Sequence, residues 1–203
     1  TGQYKPANPF STGETQIVPS NRLYLNVDTA SLDWAAFNSR PAGRMYLNLG
    51  DKSAVYRQEM MIMELLTNIN DDNWRRPIYF ATTVDRNLYM NLQSSNFSLT
   101  GLAYQVVPGI PQSSGVNTEK AYDNLMNKFR WGGLEENSDI YLDETGRRMI
   151  STFRLYFNQL IEALTEEGKN DKAIAALDKV TTVMPGKAVA YGNDGIMFAR
   201  AYY

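Results

Sequence analysis

The sequence predicts an α+β (or α/β) protein, a small mixed-sheet domain followed by α-helical, tetratricopeptide-like hairpins, and three observations carry that reading. Residues 21–110 hold several short alternating or β-branched runs separated by turn-forming clusters. Everything after Thr118 has helical period. Between them VPGIPQSSGVN, at 107–117, combines Pro, Gly and Ser without periodicity, and 111–117 reads as a linker. With 203 residues, 43% of them hydrophobic, the chain suffices for one ordinary core, or for one compact domain with an appendage.

Residues 1–20, rich in Pro, Ser, Thr and Gly, read as an irregular N-terminal arm. RLYLNV (22–27) alternates Leu23, Leu25 and Val27 with Tyr24 and Asn26, the pattern of a half-buried strand. Asp28 or Thr29 is placed to cap a short helix through ASLDWAAF. MYLNLG, from Met45, is a second alternating strand. From Ser53 to Ile69 a helical stripe of Val55, Met60, Met63, Leu66 and Ile69, widened by Met61, Ile62 and Leu65, predicts a helix covered on most sides. PIYFATTV (77–84) and GLAYQVVP (101–108) supply two further strands, the first opening at a proline, where no N–H is needed. The strands expected near 22–27, 45–49, 78–84 and 102–107 are assigned to one mixed sheet.

In the tail, residues 118–203, NTEKAYDNLMNKFRW reads as a helix with Thr118 as N-cap and Tyr122, Leu125 and Phe129 on one face. Helical segments follow over 143–169, 170–185 and 188–203. Phe157, Leu160, Ile161 and Leu164, then Ala173, Leu177 and Pro185, fall on tetratricopeptide positions, and Tyr191, Asp194, Gly195 and Phe198 return in register. The offsets from Phe157 to Tyr191 and from Leu164 to Phe198 are both the 34 residues of that repeat. Ile161 and Asp194 depart from it, standing where a small and an apolar residue are usual.

Composition removes more chemistry than any motif adds. The chain has no Cys and no His, which excludes a disulfide, a thiolate nucleophile, a Cys/His zinc site and a Ser-His-Asp relay within it. The formal net charge is -2 with both signs interspersed, which gives no electrostatic footprint for nucleic acid. No run approaches the roughly 18 apolar residues of a membrane span, and TGQYKPANPF has no charged-then-apolar leader. A start at Thr1 without methionine is expected of either a mature product or a piece cut from a longer polypeptide, and the cut piece is the favoured reading. No cofactor motif is present; WGG at 131–133 follows a helix and so is not a phosphate loop.

The stretch NWRRPIYFATTV, from Asn73, admits two readings. As structure, Trp74 seals the core edge, Arg75 and Arg76 stay solvated or pair with Asp71 and Asp72, and Pro77 opens the strand. As function, Trp74, Arg75, Arg76, Asp72 and Tyr79 offer stacking and bidentate hydrogen bonds to a sugar ring or phosphate. Asp28-Thr29-Ala30 resembles an Asp-Ser/Thr-small/apolar signal for O-glycosylation in some extracytoplasmic proteins of gut commensals, making Thr29 a candidate acceptor. The paired carboxylates Asp71–Asp72, Glu135–Glu136 and Glu166–Glu167 point apart as neighbours and form no acid/base pair by adjacency.

EMMIMELLTNINDDNWRRPIYFATTV followed by GLAYQVVP resembles the C-terminal soluble region of a family of multi-pass membrane proteins of Gram-negative bacteria, themselves similar to protein O-mannosyltransferases. The family pattern Asn-Trp-Arg/Lys-Arg-Pro-Ile-Tyr-Phe-Ala falls on Asn73 to Ala81, Gly-Leu-Ala-Tyr on Gly101 to Tyr104, and Val-Pro on Val107 and Pro108. Glycosyl transfer in such a family belongs to acidic residues on membrane loops outside this chain, so the resemblance assigns no catalytic residue here. It implies a periplasmic or otherwise extracytoplasmic accessory domain, tethered by a missing N-terminal region. Such a domain partners the membrane-embedded portion of the same polypeptide and binds an acceptor protein, a glycan or another subunit. The alternative is a self-contained carboxylate-dependent glycan hydrolase, which requires two acidic side chains facing each other across a cleft at roughly 5–10 Å.

Overall fold

The computed structural model describes residues 3–4, 15–16, 20, 22–50, 55–134, 136 and 139–202. Most of the expected N-terminal arm, and Glu135 of one carboxylate pair, lie outside the described residues. The strands are β1 (Gln3–Tyr4), β2 (Thr15–Gln16), β3 (Arg22–Asn26), β4 (Ser39–Arg40), β5 (Arg44–Asn48), β6 (Tyr79–Ala81), β7 (Phe97–Leu99), β8 (Ala103–Val106) and β9 (Ile110–Pro111). The helices are α1 (Arg57–Asp71), α2 (Thr118–Asp123), α3 (Glu144–Glu166), α4 (Asn170–Val183) and α5 (Asn193–Tyr202).

The α+β class holds, but the strands do not join into one mixed sheet. They form small antiparallel sheets, β1-β2, β3-β5, β4-β9 and β6-β8-β7. The only parallel pairing among the described residues is an isolated bridge between Leu99 and Val116. The reason is strand length: PIYFATTV keeps only Tyr79–Ala81 as strand, because the chain turns where Val84 N–H donates to the Ala81 carbonyl at 3.0 Å. β7 has no counterpart among the expected strands; Asn96, Ser98 and Thr100 alternate with Phe97 and Leu99, but the run is short and its polar residues are buried along with the apolar ones.

ASLDWAAF is not a helix. Asp33 Oδ1 accepts from the N–H groups of Ala35 (3.1 Å) and Ala36 (3.4 Å), while Ser39 N–H donates to the Trp34 carbonyl at 3.3 Å past Asn38, whose φ is +47°. A start cap and a left-handed stop so close together leave a single turn.

In α1, Leu66 and Ile69 are buried and Ile62 and Met63 partly so, but Met60, Met61 and Leu65 face solvent; the helix is covered on one side only. At its N-terminus the Glu59 carboxylate accepts from Tyr56 N–H at 2.9 Å. At its C-terminus Asn73 N–H donates to Asn70 O (3.0 Å) and Trp74 N–H to Ile69 O (2.9 Å), a Schellman closure with Asn73 left-handed at φ +50°.

The N-cap of α2 is Asn117 rather than Thr118: Asn117 Oδ1 accepts from Lys120 N–H at 3.1 Å, and the Thr118 hydroxyl is occupied by Glu167. The expected long helix becomes α2 followed by a π-helical turn, Asn124–Lys128, because Asn124 Nδ2 is drawn to the Thr100 carbonyl at 2.6 Å. Gly168 (φ +72°) then closes α3 by the same device as Asn73, with Lys169 N–H on Leu164 O at 2.8 Å, and returns the chain into α4.

Two hydrophobic clusters result. One lies under β3, β5, α1 and the β6-β8-β7 sheet and centres on Met45, Leu47, Leu66, Leu92 and Phe80. The other holds Leu125, Phe157, Leu160, Leu164, Leu177 and Val180 of the helical tail, together with Leu99 and Val116. Tyr104 on β8 packs against both.

Candidate functional site

NWRRPIYF is built by the end of α1. The closure that turns Asn73 left-handed directs Trp74 inward, where it is 5% exposed and donates from Nε1 to Asn70 Oδ1 at 3.1 Å. Asn70 Nδ2 in turn donates to the Asn26 carbonyl at 2.9 Å, tying the helix end to β3. No ligand can stack on the Trp74 ring in this arrangement, because the core already covers it.

Arg75 and Arg76 project outward, their side chains both 77% exposed, and converge on Asp72. Arg75 Nη2 pairs with Asp72 Oδ1 and its Nε donates to the Asp72 carbonyl at 3.2 Å; Arg76 Nε lies 3.5 Å from Asp72 Oδ2. The guanidinium donors that Asp72 leaves free face water. On the strand, alternation puts Phe80 in the core and Ile78 at its margin, while Tyr79 and Ala81 point out. The structure therefore gathers Asp72, Arg75 and Arg76 into one exposed group, buries Trp74 and sets Tyr79 on an outer strand face.

Asp28-Thr29-Ala30 is an Asx turn, with Asp28 Oδ1 accepting from Ala30 N–H at 3.0 Å. That bond, with the Ser31 hydroxyl, holds the Asp28 carboxyl below its usual range. Thr29 is exposed; its carbonyl accepts from Trp34 Nε1 at 3.0 Å, and no hydrogen bond among the described residues engages its hydroxyl.

Carboxylates also gather where α2 meets the α3-α4 turn. Glu119 accepts from Lys169 (2.8 Å) and Lys172 (3.0 Å), and Glu167 from Thr118 (2.9 Å), Lys169 (2.7 Å) and Ser113. The two lysines hold the Glu119 carboxyl below its ordinary value. Burial pulls Glu167 upward, but Lys169, Ser113 and Thr118 bring it below the ordinary value. Charged carboxylates saturated by cations are structural staples, whereas a glycosidic general acid needs its pKa raised. Burial pushes the Tyr104 hydroxyl up to about 12, aided by Tyr156 and Tyr89, so it stays protonated at neutral pH. No group of three or more acidic residues among the described residues is placed to hold a metal ion.

The exposed groups that reading by motif missed lie on the outer face of β3 and β5, where Tyr24 and Tyr46 stand opposite each other with ring centroids 6.3 Å apart. Their signal in the sequence is a near-repeat, RLYLN and RMYLN.

Fold and site together define a small α+β domain with a helical tail and polar, aromatic-bearing surfaces. The chain belongs to the TMEM260-associated domain 2 family, which matches residues 2–125. No curated protein and no solved structure matches it. No helix among the described residues is long and apolar enough to cross a membrane.

Proposed function

We propose that this chain is a non-catalytic, extracytoplasmic accessory domain of a membrane glycosyltransferase-like protein, holding an acceptor protein, a glycan or a partner subunit beside the membrane-embedded part of the same polypeptide. The observation that carries the reading is the family match, which spans the α/β unit and reaches α2; the family is named for TMEM260, a membrane protein similar to protein O-mannosyltransferases. The charge state of Glu119 and Glu167 argues in the same direction, since neither is poised as an acid.

The tail is read here as tetratricopeptide-like and as a docking surface. Phe157, Leu160, Leu164, Ala173 and Leu177 are buried at their register positions, Phe198 is buried 34 residues after Leu164, and α5 packs on both α3 and α4.

The test uses the parent membrane protein with and without this region, checked for equal membrane insertion. Transfer of sugar to protein acceptors, read by intact mass, falls sharply on deletion, and the isolated chain releases no sugar from any glycan. Undiminished transfer after deletion, or glycan hydrolysis by the isolated chain, would overturn the reading.

A further inference from the structure

The near-repeat RLYLN and RMYLN pairs with itself. β3 and β5 run antiparallel in full register, Arg22 opposite Asn48, Tyr24 opposite Tyr46, Asn26 opposite Arg44. Antiparallel pairing of like sequences creates a local two-fold axis at the Tyr24–Tyr46 pair. Leu23, Leu25, Met45 and Leu47 turn inward, so the outer face reads Arg-Tyr-Asn against Asn-Tyr-Arg.

Tyr24 and Tyr46 are 51% and 58% exposed, with their rings inclined at 54°. The Arg44 guanidinium carbon lies over the Tyr24 ring, 4.7 Å from its centroid, so the charged fork covers one face of that ring. Arg22, Arg40 and Arg44 are exposed, and none pairs with a carboxylate among the described residues. Beside Arg44 and Tyr46 the surface falls into a cleft of about 510 Å³ lined by Gly43, Ser95, Asn96, Gly109 and Ile110. Its floor is fixed, because Asn96 Nδ2 donates to the carbonyls of Val107 (3.0 Å) and Gly109 (3.2 Å).

We propose that this face and cleft bind an acidic glycan, with a sugar ring laid on Tyr46 beside the Arg44-covered Tyr24 and a carboxylate taken by the arginines; this deepens, and rests on, the accessory reading above. Each group has a matching role. A tyrosine ring offers an apolar face to sugar C–H groups and a hydroxyl to their polar edge. The Asn26 amide can donate and accept, as sugar hydroxyls do, and Asn48, whose Oδ1 accepts from Gly50 N–H at 2.8 Å, has its amide N–H groups to donate. Unpaired guanidinium groups form bidentate hydrogen bonds with a carboxylate and so select the acidic sugar over a neutral one. A second copy of the chain fits poorly. The six outward side chains carry no acid to meet the arginines of a second copy. The net charge of -2 disfavours nucleic acid.

The 203-residue chain is titrated with a galacturonic acid oligomer and with a neutral glucose oligomer of equal length, by calorimetry, alongside sedimentation of the free chain. Saturable binding of the acidic oligomer is expected, about tenfold weaker in Tyr46→Ala and in Arg44→Ala, with melting temperatures unchanged. Arg44→Lys is expected not to restore it, because an ammonium lacks the planar fork. Absence of binding, equal binding of both oligomers, or binding indifferent to Tyr46→Ala and Arg44→Ala would overturn the site, as would a dimer that those variants dissolve. Loss of this site with transfer still dependent on the domain would leave the accessory reading standing.

Discussion

Arg154, wholly buried on α3, donates from Nη1 to Oδ2 of Asp194 on α5 at 3.0 Å. Its Nη2 donates to the carbonyls of Met184 (2.8 Å), Val189 (2.7 Å) and Pro185 (3.2 Å), and its carbon Cζ lies 4.3 Å from the Tyr191 centroid. One side chain thus fastens the α4-α5 connection to the first tail helix. It also accounts for Asp194 standing where the repeat pattern prefers an apolar residue, since that carboxylate neutralises the buried cation.

Removing Asp194 leaves the buried Arg154 cation uncompensated, and removing Arg154 leaves the partly buried Asp194 carboxylate and the Met184, Pro185 and Val189 carbonyls without this donor. Asp194→Ala is expected to cost about 3–5 kcal/mol of stability by urea denaturation, and Arg154→Met a comparable amount. The double variant Arg154→Met/Asp194→Leu should lose well under the sum, because no uncompensated charge remains. Additive losses would show that the two residues act independently.

Phe80 packs edge-on to Tyr89 at 5.9 Å and against Phe97 at 5.1 Å, all three buried. Phe80→Ala should cost about 3–5 kcal/mol, enough to threaten a domain of ordinary stability. Arg75→Ala and Arg76→Ala, at 77% exposure, should each cost under about 1 kcal/mol. A melting temperature that falls as far in Arg75→Ala as in Phe80→Ala would contradict this division of the stretch into core and surface.

These cases show which levels of structure were legible. The period of α1, α3 and α4 and the alternation of β3 and β5 are local and could be read directly. The closure at Asn73 was also present in the letters, an Asn and then a Trp after a polar helical turn with Pro77 following, but it resembles a strand entry until the helix end is located. Strand pairing and the Arg154–Asp194 link join residues far apart in the chain, and no single-sequence pattern encodes which partners meet. The tyrosine pair of β3 and β5 was visible as a repeated pentapeptide. Alternation explained its inward leucines and left its outward residues without a role.

Stability should fall off on both sides of neutrality around Lys169. Glu119 and Glu167 have folded pKa values below their ordinary 4.5, so their contribution is present above that value and is lost as pH falls through the folded values. Lys169 is raised above 10.5 by Glu119 and Glu167, so its contribution holds below that value and is lost as pH rises through the folded one. Glu119 is largely exposed and Lys169 and Glu167 partly so, and solvent screening keeps the total near or under about 1 kcal/mol. Unfolding curves of Lys169→Met should show a shallower acid slope than the unsubstituted chain, and identical slopes would refute the linkage.

Gly109 and Gly43 both line the cleft beside Tyr46, yet they should respond oppositely to a methyl group. A Cβ on Gly109 would lie 2.2 Å from the Arg40 carbonyl oxygen and 2.6 Å from Cζ3 of Trp34, so the backbone pairing of β4 with β9 would have to separate. Backbone cannot yield as a flexible side chain can, and Gly109→Ala is expected to cost about 1–3 kcal/mol or more. Trp34 fluorescence should shift with it, because the indole forms the other wall of the collision. A Cβ on Gly43 meets nothing within 4 Å, and Gly43→Ala should stay within about 0.5 kcal/mol of the unsubstituted chain. If both variants melt together and Trp34 emission is unmoved, the close approach of Gly109 to Arg40 and Trp34 is refuted.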